Sequence, residues 1–283
     1  MTGLFQHFGD TDALQQPFDL AVVMPTVLRP SLTRAVRSII DQDFDGRVQT
    51  LIGIDKRETS LEPVTTALTH LPPRHVISLF DPGYSTSVRH GGLHLAQDGG
   101  ALRCVLTYLA NARYVAYLDD DNCWAPDHLR RMREAIEGKA WAFGFRCFTH
   151  PETQRPVAID DWESVGPGRG GYAKPLGGWV DPNCLMIDKL ACERVIRRWA
   201  FPLPKDRKGM SADRNVFSAL RRYKWGESRA VTVFYQLNPK DGLHAHRMTR
   251  FKEAYEQAGR LDAPLPRLNQ GKIYEPSKSS ENN

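Results

Sequence analysis

Apolar runs of strand length alternate with segments of helical period along most of this 283-residue chain. The predicted strands are Phe18–Met24, Val48–Ile54, His75–Phe80, Arg113–Leu118, Trp141–Phe148 and Val231–Tyr235. The predicted helices are Ser31–Ile40, Ser87–Gln97, Ala101–Ala110, Asp127–Glu137, Lys189–Trp199 and Ala212–Arg222. Because parallel strands need long crossover connections, this alternation predicts an α/β fold with a mostly parallel sheet flanked by helices on both faces.

The composition is typical of a soluble globular protein, with 41% hydrophobic and 25% charged residues. The sequence has no run of roughly 18 apolar residues, which a membrane helix needs. Its first ten residues lack the basic start and apolar run of a secretory signal. The five cysteines are scattered and never in CxxC spacing, which argues against a zinc site and favours reduced thiols in the cytoplasm.

The net charge of +5 indicates a mild basic excess. This excess suits phosphate-bearing substrates or peripheral contact with an anionic membrane, and a solvated basic surface explains it equally well. The arginines are spread over several predicted helices and form no single basic stripe. We therefore expect neither nucleic acid as a partner nor a transmembrane segment.

The two ends of the chain and one internal segment differ from the rest. Residues 1–16 and 263–283 are polar, which predicts flexible termini. The segment from Pro151 to Gly178 is rich in proline and glycine and predicts a long loop. Long loops in compact enzymes often act as lids or binding loops.

Three consecutive carboxylates, Asp119, Asp120 and Asp121, follow directly on the predicted strand Arg113–Leu118. Adjacent negative charges repel, and oxygen ligands suit a hard divalent cation such as Mg²⁺ or Mn²⁺. A metal held by one or two carboxylates keeps positions open for phosphate oxygens. The triplet therefore favours transfer chemistry on a diphosphate-activated donor. The alternative is a cluster capping the helix that begins near Pro126.

Polar residues also follow other predicted strands at the point where each ends. Pro25 and Thr26 follow the first strand, Asp55 to Arg57 follow the second, and Asp81 follows the third. Ligands of open parallel sheets bind beyond the carboxyl ends of the strands. We therefore expect these side chains to share one rim with the acidic triplet.

The order and spacing of these motifs resemble the nucleotide-sugar-dependent glycosyltransferases of family 2, which have the GT-A fold. The matching segments are Val22–Thr26, Arg37–Gln42, Ile54–Asp55, Arg89–Gly92 and Tyr117–Leu129. The resemblance spans roughly Phe18 to His246. It implies a single GT-A domain with a Rossmann-like nucleotide-sugar-binding half over 17–150 and a half for the acceptor and catalytic base over 151–262.

The resemblance assigns one group of residues to the nucleotide-sugar donor. These are Pro25, Thr26, Asp55, Arg57, Arg89, Asp119 and Asp120. Asp55 would accept a hydrogen bond from the base, for which Pro25 and Thr26 form a pocket. Arg57 would touch the base or the phosphates, or face solvent, and Arg89 would lie on the phosphate side.

The resemblance also implies a metal site. Asp119 and Asp121 match the outer positions of the family's DXD motif, which hold the donor ribose and a divalent cation. A late histidine often supplies a further ligand in this fold, and here His244 or His246 would do so. The implied cofactor is Mn²⁺ or Mg²⁺, and imidazole ligation suits Mn²⁺ better.

On the acceptor side, Asp213 matches the catalytic base that the family carries at the start of a late helix. The preceding residue is Ala212, where the family commonly has Glu. A carboxylate at a helix N-terminus also has a purely structural explanation. The segment Gly177–Asp181 resembles the acceptor-side stretch, with Trp179 and Asp181 as candidate acceptor contacts.

These assignments predict an inverting, metal-dependent glycosyltransferase that moves a sugar, most commonly from a UDP-sugar in this family, to a hydroxyl acceptor. The acceptor is a glycan, a lipid-linked molecule or a protein. One alternative is a non-catalytic nucleotide-sugar-binding protein, which the Ala212 substitution leaves open. Another is a sugar nucleotidyltransferase, although the first strand here lacks the Gly-rich loop that such enzymes carry.

Overall fold

The computed structural model of the protein describes residues 4–68 and 71–268. The strands are Phe5–Gly9 (β1), Phe18–Thr26 (β2), Val48–Ile54 (β3), His75–Phe80 (β4), Ala112–Tyr117 (β5), Cys123–Trp124 (β6), Trp141–Thr149 (β7), Pro156–Ile159 (β8), Gly166–Pro167 (β9), Gly178–Trp179 (β10), Leu185–Asp188 (β11) and Trp225–Gln236 (β12). The helices are Leu32–Ile40 (α1), Glu62–Ala67 (α2), Gly100–Leu109 (α3), His128–Ala135 (α4), Ala173–Leu176 (α5), Glu193–Ile196 (α6), Ala212–Leu220 (α7) and His244–Ala258 (α8). Short 3₁₀ helices span Thr11–Gln15, Val88–His90, Pro182–Cys184 and Arg197–Ala200.

One large sheet runs through the protein in the order β1-β4-β3-β2-β5-β11-β7-β12-β6, with β8 paired to β7. The neighbours β4, β3, β2 and β5 are parallel, and so are β7 and β12. Strand β11 lies antiparallel between β5 and β7 and joins the two parallel parts. The predicted α/β architecture with a mostly parallel sheet is confirmed.

The central strands are apolar along their length because they are buried on both faces. Every residue of β3 and β7 is buried, and in β2 only Asp19 is exposed. Continuous apolar runs of this kind are typical of parallel strands covered by helices. Helix α3 packs against β2 and β3, and α4 packs against β7 and β12.

The direction in which successive strands are added to the sheet reverses between β2 and β5. The chain runs from β2 outward to β3 and β4, and then returns to the opposite side of β2 as β5. Such a reversal leaves a crevice beyond the carboxyl ends of the two central strands. Here the crevice lies between Thr26, at the end of β2, and the acidic triplet that follows β5.

Some sequence predictions need correction. Residues 87–97 form no long helix, because Gly91 adopts a left-handed φ of 94° and the chain turns back through backbone hydrogen bonds to Thr86 and Ser87. The predicted helix Lys189–Trp199 begins later in the structure, at Glu193. Asp188 accepts hydrogen bonds from the amides of Leu190 and Ala191 and holds these residues in a turn.

The N-terminal segment contains a strand that the sequence did not predict. Residues 5–9, within the stretch expected to be flexible, form β1 and complete the edge of the sheet against β4. The segment pairs with the edge strand β4, and its two phenylalanine side chains anchor it, because Phe5 packs against Phe80 and Phe8 packs against the core. Residues 269–283 of the predicted flexible tail lie outside the described residues. In the described chain no helix has the length and apolar character to cross a bilayer.

Candidate active site

A cavity of about 360 Å³ opens at the carboxyl ends of β2, β3 and β5. It contains most of the residues that the sequence assigned to the donor and the metal. These are Pro25, Thr26, Asp55, Arg89, Asp119, Asp120 and Asp121. Its volume lies within the range of roughly 300–1,000 Å³ that is usual for small-molecule sites.

The first aspartate of the triplet is held by two polar partners. The Asn183 side-chain amide donates to Asp119 Oδ2 at 2.8 Å, and the backbone amide of Asp119 donates to Asn183 Oδ1 at 2.7 Å. The guanidinium of Arg103, a buried residue of α3, pairs with Asp119 Oδ1. Asp119 is therefore fixed in orientation at the floor of the cavity.

The second aspartate ties the two central strands together. Thr26 Oγ1 donates to Asp120 Oδ2 at 2.6 Å, and the Arg29 guanidinium pairs with Asp120 Oδ1. Asp120 is buried, and both of its oxygens accept protein hydrogen bonds. The structure thus uses Asp120 to hold the loop after β2 against the end of β5, whereas the sequence assigned it to the donor.

The third aspartate has the most accessible carboxylate of the three. The Asp121 side chain is 32% exposed, and its ion-pair contact is a distant one of 3.9 Å to Arg29 Nη1. Burial, together with the charges of Asp119 and Asp120, raises the pKa of Asp121 to about 7. A cation bound at this carboxylate would relieve that repulsion. Asp121 therefore fits a hard divalent metal, to which it would offer a carboxylate oxygen.

The two histidines predicted as metal ligands lie elsewhere. His244 begins α8 and packs edge-on against Tyr255, while the His246 ring lies 4.4 Å from the Trp162 ring. Neither is among the described residues that line the cavity. Within the described ranges, no group of three or more His, Cys, Asp or Glu side chains has metal-binding geometry. The cavity as described thus contains Asp119 and Asp121 of the predicted metal ligands, and its histidine is His90 instead of His244 or His246.

The predicted base contact, Asp55, sits at the end of β3 and fastens the loop after β4. Its Oδ1 accepts from the Thr86 amide and hydroxyl, both at 2.9 Å, and its Oδ2 accepts from Ser85 Oγ at 3.0 Å. Asp55 nevertheless lines the cavity, as does Arg89. Arg57 does not, because it turns towards Asp81 and lines an adjacent cavity of about 220 Å³.

The predicted base, Asp213, stands in the first turn of α7. Burial, reinforced by the negative charge of Asp98, raises the pKa of Asp213 to about 7, against the lowering effect of Arg214. Asp98 lines the cavity, and Asp213 also interacts electrostatically with the buried Arg103. Asp213 thus belongs to the acidic group around Arg103 that borders the cavity.

Arg103 is a residue of this site that the sequence reasoning missed. It lies one turn after Gly99 and Gly100, and it pairs with Asp119. A Cβ on Gly99 would lie 2.7 Å from Pro25, and one on Gly100 would lie 2.0 Å from the Trp199 carbonyl oxygen. Gly99 therefore lets the start of α3 approach the end of β2, and Gly100 lets it approach the 3₁₀ helix Arg197–Ala200. The available signal was an arginine on the apolar face of a helix that opens with Gly-Gly.

The two predicted acceptor contacts, Trp179 and Asp181, are both buried. Asp181 accepts from Arg146 Nη1 at 2.6 Å and from the Asn183 amide at 2.9 Å. The Trp179 ring lies 5.3 Å from the Arg146 guanidinium. Both residues therefore contact Arg146 within the core, and Asp181 supports the site through Asn183, which holds Asp119.

Solved structures of a UDP-GlcNAc-binding protein and of a mannosyltransferase share this fold. TarS residues 1–349 from S. aureus, in complex with UDP-GlcNAc, align with a TM-score of 0.55 at 14% identity, covering 88% of this chain and 68% of that one. The mannosyltransferase PcManGT from Pyrobaculum calidifontis, in complex with GDP-Man and Mn²⁺, aligns with a TM-score of 0.51 at 15% identity, covering 88% and 66%. The chain has the GT-A fold.

The likeness rests on structure. No protein-family model matches the sequence, and no curated protein matches it. A longer TarS structure aligns over 85% of this chain and 42% of its own length, at 14% identity and a TM-score of 0.55. This chain therefore spans less than half of that protein and about two thirds of the mannosyltransferase. The resemblance to GT-A glycosyltransferases expected from the sequence is confirmed for the fold.

Proposed function

We propose that the protein is a metal-dependent, inverting glycosyltransferase that uses a nucleoside-diphosphate sugar, with a UDP-sugar as the first candidate. The observation that carries the proposal is one cavity at the β2/β5 crevice that Asp55, Arg89 and the accessible carboxylate of Asp121 line together. Asp213 belongs to the acidic group around Arg103 that borders this cavity, and its pKa is raised to about 7. The fold is shared with structures that contain UDP-GlcNAc and GDP-Man, which also supports the use of a nucleotide-sugar donor.

We assign the donor to the side of the cavity formed by β2, β3 and the loop after β4. Pro25, Asp55 and Arg89 line that side. Arg89 offers a guanidinium to the diphosphate, and Arg29 stands between Asp120 and Asp121 at the other side. The polar lining therefore matches a ligand with a base at one end and two phosphates towards the acidic triplet.

The metal would be held by Asp121, with Asp119 beside it. A divalent cation supplies Lewis acidity towards the departing nucleoside diphosphate when it is bound. PcManGT was solved with Mn²⁺, which agrees with this requirement. In this chain the cation paired with Asp121 is a distant one, Arg29 Nη1 at 3.9 Å, while Asn183 and Arg103 hold Asp119 in place.

For the transfer step, Asp213 would take the proton from the acceptor hydroxyl as that oxygen attacks the anomeric carbon. A general base works best when its pKa lies near the working pH, and burial places Asp213 there. Attack from the face opposite the leaving diphosphate inverts the anomeric centre. The half of the chain over 151–262 supplies Asp213, and the half over 17–150 supplies the donor side. The free thiols of the five cysteines favour a reducing compartment, for which we propose the cytoplasm.

Calorimetric titration tests the donor site. The protein is titrated with UDP, GDP, dTDP and CMP, each with Mn²⁺ and with chelator. We expect tight binding of one nucleoside diphosphate that weakens at least tenfold without Mn²⁺. Asp121→Ala should abolish the metal dependence and leave the weak binding seen with chelator, because it removes the carboxylate without disturbing Asp55.

The matched control is Asp127→Ala, an aspartate just beyond the triplet whose partner is Arg131 on the surface of α4. It should leave both affinities unchanged. Failure of all four nucleotides to bind would refute the donor assignment. Binding of one nucleotide without any sugar transfer would favour the non-catalytic alternative.

A further inference from the structure

Exposed apolar side chains gather beside the mouth of the donor cavity. Leu93 is 91% exposed, Leu95 63% and Met210 48%. Leu93 and Leu95 belong to the loop after β4, and Met210 belongs to the loop before α7. Met210 itself lines the cavity, as do Arg89 and His90 of the first loop. The apolar side chains therefore stand at the entrance to the proposed site. We call Leu93, Leu95 and Met210, with the cations Lys205, Arg207 and Lys208, the rim surface.

The rim surface is held in shape by backbone hydrogen bonds. The Gln97 amide donates to the Gly209 carbonyl at 2.8 Å and joins the two loops. The amides of Leu93 and His94 donate to the Thr86 carbonyl at 3.1 and 2.9 Å, which folds the first loop back on itself. Gly209 has a φ of 65°, and a Cβ there would lie 2.1 Å from the Leu95 carbonyl oxygen. The loops thus approach closely and hold the leucines outward.

Three exposed cations lie on the same loop as Met210. Lys205, Arg207 and Lys208 are all exposed on the second loop. The acidic residue among them, Asp206, accepts hydrogen bonds from the amides of Lys208 and Met210, both at 2.8 Å. The Asp206 carboxylate is therefore hydrogen-bonded within its own loop. The rim surface thus presents apolar side chains and three exposed cations on two adjoining loops.

We propose that the rim surface docks the protein on an anionic lipid bilayer, with the cavity mouth facing the membrane. Leucine and methionine side chains partition into the interface between headgroups and acyl chains, and lysine and arginine attract anionic headgroups. The two features occur together at the entrance to the cavity. Docking would bring the acceptor to the site as a molecule presented at the membrane surface. This inference concerns a separate surface and goes beyond the proposed transfer reaction.

Co-sedimentation with sucrose-loaded vesicles tests the docking. One set of vesicles is pure phosphatidylcholine, and the other contains equal parts of phosphatidylcholine and phosphatidylglycerol. We expect binding to the anionic vesicles that falls steeply as salt is added. Leu93→Ser/Leu95→Ser should weaken binding at least tenfold. Lys205→Gln/Arg207→Gln/Lys208→Gln should weaken it about 100-fold, since each cation near an anionic surface contributes about fivefold.

The controls are equally exposed residues elsewhere. Leu190→Ser/Leu261→Ser and Lys252→Gln/Arg260→Gln change exposed leucines and cations far along the chain. They should bind vesicles like the unaltered protein. Absence of binding to anionic vesicles, or equal loss in the control variants, overturns the proposal. If Leu93→Ser/Leu95→Ser instead abolishes a dimer seen by light scattering, the surface belongs to a second copy of the chain.

The nucleotide titration keeps this proposal separate from the proposed function. None of the five residues changed in the rim variants lines the donor cavity as described. The rim variants should therefore bind nucleoside diphosphate with unchanged affinity. Binding of nucleotide without binding of vesicles would support the donor site and overturn the membrane surface. Binding of vesicles without binding of nucleotide would support the membrane surface and overturn the donor site.

Discussion

Asp213→Asn should lower the rate of sugar transfer about 10³-fold while leaving the affinity for the nucleoside diphosphate unchanged. A positioned general base typically contributes 10²–10⁴-fold. The substitution keeps the size and shape of the side chain, and Asp213 is not among the described residues that line the donor cavity. The loss should therefore appear in kcat, measured as release of nucleoside diphosphate from the sugar donor that the titration identifies.

The pH dependence gives a second readout for Asp213. Its pKa is raised to about 7, so the carboxyl is largely protonated at pH 6 and ionised at pH 8. Only the ionised form can accept a proton. The transfer rate of the unaltered protein should thus rise about tenfold per pH unit below 7 and level off above it. The residual rate of Asp213→Asn should show no such rise.

Stability distinguishes loss of the base from damage to the fold. A carboxyl whose pKa is higher in the folded than in the unfolded state favours folding when protonated, and that contribution is lost as the pH rises from about 4 through about 7. At pH 8 the ionised Asp213 destabilises the fold, and Asp213→Asn removes this charge. The variant should then unfold at a higher urea concentration than the unaltered protein. An inactive variant that is also less stable at pH 8 would contradict the assigned role.

The sequence predicted the parallel strands and their carboxyl ends well, because burial on both faces leaves a clear apolar run. The bounds of β3 and β4 agree with prediction, and β2 extends the predicted strand to Thr26. Because polar residues after such strands share one rim, the sequence predicted that Asp55 and Asp121 lie close together, and both line the same cavity. Their roles in binding stay predictions.

The contacts between distant residues could not be predicted in this way. Arg29 reaches Asp120, 91 residues later, and Thr26 reaches the same carboxylate across 94 residues. The sequence reasoning assigned no role to Arg29 and assigned Asp120 to the donor. Only the fold shows that Asp120 is occupied by protein partners and that Asp121 is accessible. The periodicity of apolar residues indicates which side chains are buried, but it does not indicate which partner a buried charge contacts.

The largest set of charges that the sequence reasoning missed surrounds Arg146, at the centre of β7. Its guanidinium donates to Asp160 at 2.8 Å, Glu163 at 2.7 Å and Asp181 at 2.6 Å, and it is fully buried. Arg247 of α8 donates to the same Glu163 at 2.7 Å. The signal was an arginine inside an otherwise apolar strand. Such a charge is retained only when carboxylates compensate it.

Arg146→Met should lower the free energy of unfolding by about 3–5 kcal/mol, measured by urea denaturation at pH 8. Removal of one partner from a buried ion pair leaves an uncompensated charge, which costs about that much. Here three carboxylates lose their shared cation, and Arg247 remains for Glu163 only. The expected loss is a large part of the roughly 5–15 kcal/mol that stabilises a typical domain.

The pH at which Arg146→Met is measured should change the size of the loss. Burial favours a raised pKa for Asp160, and Arg146 together with backbone amides reverses this and holds the pKa below its ordinary value. Without Arg146, burial prevails and the carboxyl can gain a proton as the pH falls. The deficit in stability should consequently be smaller at pH 5 than at pH 8, where the carboxylates stay ionised.

The matched control for Arg146→Met is Arg169→Met. Arg169 makes a comparable contact of 2.7 Å to Glu227, but both side chains are partly exposed to water. An exposed pair contributes about 0–1 kcal/mol, so this variant should lose less than about 1 kcal/mol at either pH. Equal losses in the two variants would mean that the three carboxylates around Arg146 do not depend on its charge. A small loss for Arg169 with a large, pH-dependent loss for Arg146 would show that this buried cation holds together the strands and loops behind Asp181 and the candidate active site.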